Sequence, residues 1–266
     1  MSVQIEKNGP VTTVILARSV ARNSVDPGTA AKLTEAFLAF DADPDQHVAV
    51  FWGAGGAFCA GFDLKYAGSL TGKDRPLAAN DFPKGVGPVP PGPMGPTRLE
   101  LSKPVIAAIA GPAVAGGMEL ALWCDLRVME EDAFMGVFCR RWGVPLIDGG
   151  TVRLPRLVGM GKAMEIIMTG RKVTAEESYR IGLCEKVVPH GKAREAAEEM
   201  AQEISRFPQE CMRSDRASAY RAWGKSVREG LESEWATSAG IVKAEGIAGA
   251  SRFAGGKGRH GDFKDI

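Results

Sequence analysis

Paired cysteines, a surplus of either charge and a long apolar run are all missing from this 266-residue chain, and each absence removes a class of function. The five cysteines, Cys59, Cys124, Cys139, Cys184 and Cys211, are odd in number, widely spaced and without a Cys-x-x-Cys pair. Neither a disulfide framework nor a zinc finger follows, and buried free thiols are the plain reading. With 33 Lys plus Arg against 32 Asp plus Glu, interspersed along the chain, the formal charge is +1. That balance argues against a generic nucleic-acid or polyanion binder. The uncharged run Pro104 to Met118 is broken by Gly111, Pro112, Gly116 and Gly117. It falls short of the ~20 apolar residues of a membrane span. Met1 to Lys7 carries no apolar core of signal-peptide length, so a cytoplasmic location is expected. None of the three histidines, His47, His190 and His260, sits in a site motif. A Ser-His-Asp triad lacks its Gly-x-Ser-x-Gly elbow, and no Walker-type phosphate loop occurs.

Hydrophobic residues make up 45% of the chain, enough for a substantial core without metal or disulfide support. Val3 to Glu6 and Val11 to Leu16 read as strands joined by an Asn8-Gly9-Pro10 turn. Ala30 to Phe40 spaces Leu33, Phe37 and Phe40 along one helical face. Val48 to Trp52, Val105 to Ile109 and Leu126 to Met129 read as buried parallel strands alternating with helices, an α/β core. In Pro83 to Pro96, 10 of 14 residues are Gly or Pro, which dictates a long loop, either a lid or a linker. Beyond Gly161 helical patterns dominate, in Ala163 to Met168, Ala175 to Ile181, Ala193 to Ile204 and Gln209 to Arg228. The division expected is a core over residues 1–195 and a helical region for oligomerisation over 196–266.

Two glycine-bearing segments each follow a buried strand: Gly53 to Leu64, and Gly111 to Leu120. In open parallel sheets ligands bind beyond the carboxyl ends of strands. Gly116-Gly117 would open a helix there, with unpaired N–H groups and the positive end of its dipole facing the cleft. Such a place suits an anionic oxygen or one becoming anionic, although glycine turns after strands are also a plain geometric need. Neither segment matches Gly-x-Gly-x-x-Gly.

Taken in order, Ala21-Arg22-Asn23-Ser24-Val25, Phe58-Cys59-Ala60-Gly61-Phe62-Asp63-Leu64, Lys103 to Ile109 and Gly116-Gly117-Met118-Glu119-Leu120-Ala121 resemble the enoyl-CoA hydratase/isomerase (crotonase) family. Arg153-Leu154-Pro155-Arg156, Thr169-Gly170-Arg171 and Ile181-Gly182-Leu183 before Val187-Val188-Pro189 extend the resemblance over roughly residues 3 to 250. It implies a crotonase-like spiral of β-β-α units with a C-terminal helical trimerisation region, trimers that often pair as hexamers, and an acyl-CoA thioester as substrate. By the same resemblance the thioester oxygen would sit between the N–H groups of Phe62 and Gly116. Coenzyme A would run along Ala60 to Leu64, with Ala60, Asp63 and Leu64 as binding residues. No metal and no separate cofactor is implied, nor a membrane or nucleic-acid partner.

Family hydratases use two glutamates to hold and activate water, and the resemblance puts the first on Glu119. The position of the second holds Cys139, also a candidate substrate contact. A thiol cannot orient water as an ionised carboxylate does, although Arg140 and Arg141 beside it would favour the thiolate. Asp148, three residues before Thr151, resembles an aspartate of some family isomerases and is the substitute second carboxylate. Its alternative is turn or helix-start chemistry in Asp148-Gly149-Gly150. Asp63 and Asp125 read mainly as structural. Hydration of a trans-2-enoyl-CoA is the leading expectation. The alternatives are double-bond isomerisation, which needs no held water, and a thioester-binding homologue with altered catalysis. Basic residues between Arg213 and Arg228 read as solvated helix faces rather than an RNA site.

Overall fold

The computed structural model describes residues 1–72 and 77–258; His260 lies outside them. The described residues fall into two compact units, divided between Ala201 and Gln202. In the first, β1 (Val3–Asn8) pairs antiparallel with β2 (Val11–Leu16) across the turn expected at Gly9, whose φ of 56° suits glycine. Helix α1 (Pro27–Ala42) begins with Pro27 behind Asp26, whose carboxylate accepts the Thr29 N–H. Its buried face, Leu33, Phe37 and Phe40, meets the sheet through an edge-on contact of Phe37 with Phe51 in β3 (Val48–Gly53).

Three successive turns of chain then repeat one pattern. After β3 the chain forms a bridge at Cys59 and enters the short helix α2 (Leu64–Gly68). Next come β4 (Val105–Ile109), β5 (Pro112–Val114) and α3 (Gly116–Trp123), followed by β6 (Leu126–Glu130), β7 (Phe134–Gly136) and α4 (Gly150–Val158). The first strand of each turn joins a large sheet and the second a small one. After α5 (Met160–Thr169), β8 (Val173–Thr174) and α6 (Ala175–Arg180), strand β9 (Lys186–Val188) closes the large sheet in the order β1-β2-β3-β4-β6-β9. All its pairings after β1-β2 are parallel, and the small sheet runs β5-β7-β8. Strand pairing thus continues past Gly161, where helical patterns alone dominate the sequence, because β8 and β9 are too short to show a period.

Helix α7 (Ala193–Ser205) follows, then α8 (Gln209–Arg221), α9 (Val227–Ile241) and α10 (Ile247–Ala254). The single helix expected over Gln209 to Arg228 is therefore two. Gly224 takes a φ of 82°, and Ser226 and Glu229 form a reciprocal capping box that starts α9. No helix among the described residues is long and apolar enough to cross a membrane.

Candidate active site

The second-strand segments carry the site. Cys59 pairs with Ala113 in parallel, its N–H donating to Pro112 O (3.1 Å) and its O accepting the Val114 N–H (3.0 Å). This registers the chain at 59–62 against 113–116. Buried Asn23 steadies the first segment, donating from Nδ2 to Ala54 O (2.8 Å) and Ala57 O (2.7 Å). A Cβ built on Gly117 would lie 2.1 Å from Cys59 O, and one on Gly61 would lie 3.1 Å from Gly116 N. Only glycine permits that approach.

Phe62 bridges Val25, whose N–H donates to Gly61 O (2.9 Å) and whose O accepts the Asp63 N–H (2.8 Å). In such a bridge the Phe62 N–H faces the other way, and among the described residues it has no partner. The Gly116 N–H, first of α3, has none either. It follows Ala115, held at φ 55° and ψ −127°, a conformation costing an alanine about 1–3 kcal/mol. Ala115 donates its own N–H to Gly136 O (2.8 Å), which locks that strained junction and with it the direction of the Gly116 N–H.

Both residues line a cavity of about 420 Å³ with Ala60, Leu64, Glu119, Cys139 and Asp148. Glu119, one turn into α3, is 3% exposed. Its Oε1 accepts the N–H groups of Asp148 (2.9 Å) and Gly150 (2.8 Å), so its other oxygen is the one open to the cavity. Burial, and then the charge of Asp148, push its carboxyl up to about 7. Such a group gives and takes a proton near neutrality.

Asp148 does not cap α4: Gly149 occupies that position, without a side-chain cap. The carboxylate turns inward instead, where its Oδ1 accepts the Met94 N–H (3.0 Å) and the Thr97 hydroxyl (2.5 Å). Burial raises its pKa, while those two donors, Arg98 and Arg153 pull the other way. Two carboxyls on separate elements thus share one cavity, each with one oxygen pinned and one left.

Cys139 is buried on a 3-10 turn over Phe138–Trp142. Burial, and then the Glu119 charge, push its thiol up and outweigh Arg140, so the acidification expected from its arginine neighbours is not present. Arg141 lies over the Phe138 ring, and Arg140 donates to Ile167 O. Asp63 does not line the cavity. It accepts the Lys65 and Tyr66 N–H groups at the start of α2 and pairs with Arg18 at 3.1 Å, so its carboxylate is spent on the turn. Asp125 likewise accepts the Val105 N–H (2.8 Å).

The wall facing Glu119 contains residues that sequence patterns did not single out. The 83–96 loop is exposed over residues 83–89 but buried from Gly92 to Thr97, where Gly92 and Gly95 bond to each other on both sides of Pro93-Met94. Gly-Pro-x-Gly was the available sign of that tight turn. Among the described residues one grouping has metal-ligand spacing, Glu130, Asp132 and His190, away from the cavity. His190 Nδ1 is 3.0 Å from Asp132 Oδ2, and Glu130 accepts the Ala193 N–H.

A family model described as enoyl-CoA hydratase/isomerase matches residues 6–238. Enoyl-CoA hydratase EchA19 of Mycobacterium tuberculosis is 36% identical over 208 residues, which span 76% of this chain and 73% of the relative. Carnitinyl-CoA dehydratase of Salmonella typhi is 38% identical over 205 residues, 76% of this chain and 74% of the relative. The crystal structure of enoyl-CoA hydratase EchA1 from Mycobacterium marinum superposes with a TM-score of 0.85 at 29% identity, covering 95% of each chain. That of an enoyl-CoA hydratase from Mycobacterium tuberculosis H37Rv gives 0.84 at 29%, again covering 95% of each. These likenesses bear out the crotonase-like spiral.

Proposed function

The chain belongs to the enoyl-CoA hydratase/isomerase family, and from that footing we propose that it adds water to a trans-2-enoyl-CoA to give a 3-hydroxyacyl-CoA, and catalyses the reverse dehydration. A hydratase/dehydratase-type acyl-CoA chemistry rests on the relatives. Hydration of the enoyl thioester rests on the placement of Glu119, a buried carboxyl with one free oxygen in the cavity that also holds the Phe62 and Gly116 amides.

In this reading the thioester oxygen accepts from those two N–H groups. Water adds to the β carbon, electrons move through the α carbon to the thioester oxygen, and the two donors stabilise the enolate that forms. One carboxyl takes the proton that water loses and the other delivers a proton to the α carbon, so the elements of water cross the double bond. Glu119 and Asp148 are the pair. Since each has one oxygen occupied by two donors, the proton moves on the other. The chemistry draws on no metal or redox group, and coenzyme A enters as part of the substrate.

A second reading, migration of the double bond, is favoured by Cys139. A neutral buried thiol stands where the family resemblance expects a glutamate, and isomerisation needs a proton relay without a held water. Assaying the purified protein with trans-2- and trans-3-enoyl-CoA separates the two. Glu119→Gln keeps an acceptor for both backbone donors but carries no proton to exchange. Turnover is expected to fall by about 10²–10⁴, while the dissociation constant of a saturated acyl-CoA stays within a few-fold. Unchanged turnover in that variant would remove Glu119, and with it this mechanism.

A further inference from the structure

We propose that Thr97 is a positioning residue for Asp148, and that the buried Gly92 to Thr97 turn serves as the clamp of the second carboxylate rather than as part of a lid. The inference rests on the reading of Asp148 as a proton-transfer group and adds to it the device that aims the group.

The Thr97 hydroxyl has one proton, and it goes to Asp148 Oδ1 at 2.5 Å. The Met94 N–H goes to the same oxygen at 3.0 Å. Two donors on one oxygen leave Oδ2 as the atom with spare capacity for the cavity. The turn is built for this contact. A Cβ on Gly92 would lie 2.1 Å from Thr97 Oγ1 and 2.6 Å from Asp148 Oδ1, so any side chain there would push the pair apart. Arg153 of α4 then fastens both partners by their backbones, donating to Thr97 O (2.7 Å) and Asp148 O (3.1 Å). Contacts on three sides thus hold a pair of residues 51 positions apart in sequence.

Charged groups that act on Asp148 are Arg98, beside Thr97, and Arg153 from α4, with Glu119 from α3 as its coupled partner. Against burial, which disfavours the charged carboxylate, the Thr97 proton is a donor aimed at the charged form. Its removal leaves Asp148 harder to ionise.

The test is pH-difference infrared spectroscopy of the protonated-carboxyl band in the whole protein, with the Asp148 signal assigned by Asp148→Asn. Thr97→Val, and Thr97→Ala as a smaller variant without the donor, should move the Asp148 titration upward by about one pH unit or more. Thr97→Ser, which restores a hydroxyl, should return it to the wild-type position. Should the protein hydrate enoyl thioesters as proposed, the acid limb of kcat/KM follows the same displacement, with kcat reduced and KM little changed. An Asp148 titration that is unchanged without the donor, or displaced equally by serine, overturns the assignment. Because the spectrum is read without substrate, a wild-type protein inert toward every enoyl-CoA would remove the functional reading and leave the titration to judge Thr97 alone.

Discussion

Ionising Glu119 places a charge in a cavity whose walls are largely apolar, beside a second acid, and two backbone donors on Oε1 only partly offset that. Its carboxyl is pushed up to about 7 from an ordinary value of 4.5. Between those two values the folded protein binds a proton that the unfolded chain has released, so stability falls as pH rises through the window. A displacement of that size corresponds to roughly 3 kcal/mol, present below about pH 4.5 and lost above about pH 7. Glu119→Gln removes the ionisation and keeps the acceptor. Its melting temperature should match the wild type near pH 4.5 and exceed it by several degrees at pH 8; thermal melts across pH check this, and a constant difference at all pH values would contradict it. Glu119 was legible because the family resemblance puts a glutamate there, and its place one turn into a helix opened by Gly116-Gly117 agrees with a carboxylate facing a cleft. Asp148 was ambiguous, since Asp-Gly-Gly also spells a turn or a helix start, and Gly149 in the capping position removes the helix cap from those readings. Thr97 carried no signal: it meets its partner only through folding of a distant loop, and no local pattern encodes that contact.

Helix α3 is fixed at both ends, and this fixes the site it carries. At its start Gly117 lies against Cys59 O, while at its finish the buried Arg127 donates to Ala121 O and Cys124 O. Gly117→Ala must drive a methyl group into a backbone carbonyl that the small sheet holds in place, so the helix start moves or the sheet gives. A loss of about 1–3 kcal/mol is expected in denaturant unfolding, together with a fall in turnover as the Gly116 N–H and Glu119 move. Gly161 in α5 is the control. Nothing lies within 4 Å of its missing Cβ, and alanine there should stabilise by about 0.5–1 kcal/mol. Equal effects at the two positions would show that close contact at Gly117 is not what matters. Elements of this kind were readable where pattern and punctuation agreed, as in α1 after Pro27 and in the buried runs of β3, β4 and β6. The break before α9 was missed because apolar spacing continues across Gly224, and only its positive φ and the Ser226 to Glu229 box separate the helices. Nothing in the composition of Ala115 announces its strained φ, which the neighbouring strands impose.

On the scale of the molecule, α9 presents an apolar stripe that the chain leaves exposed. Val227, Leu231 and Trp235 recur every four residues and are therefore neighbours along one face, 82%, 59% and 74% exposed. Single exposed apolar residues are ordinary, but three aligned on one helix form a continuous patch of the kind that marks a contact surface. The sequence shows the spacing; which apolar residues a fold leaves uncovered emerges only once the others have packed. The partner we propose is further copies of the chain, in threes or in paired threes, as the family resemblance implies. Sedimentation of the 28.3 kDa chain at micromolar concentration should then give the mass of three or six copies. Trp235→Arg together with Leu231→Arg places two cations in that contact without touching the cavity, and should shift the mass toward a single chain with α9 still helical. A wild-type protein that sediments as one chain would assign the stripe to another partner. An unchanged mass in the double variant would move the contact to a different face.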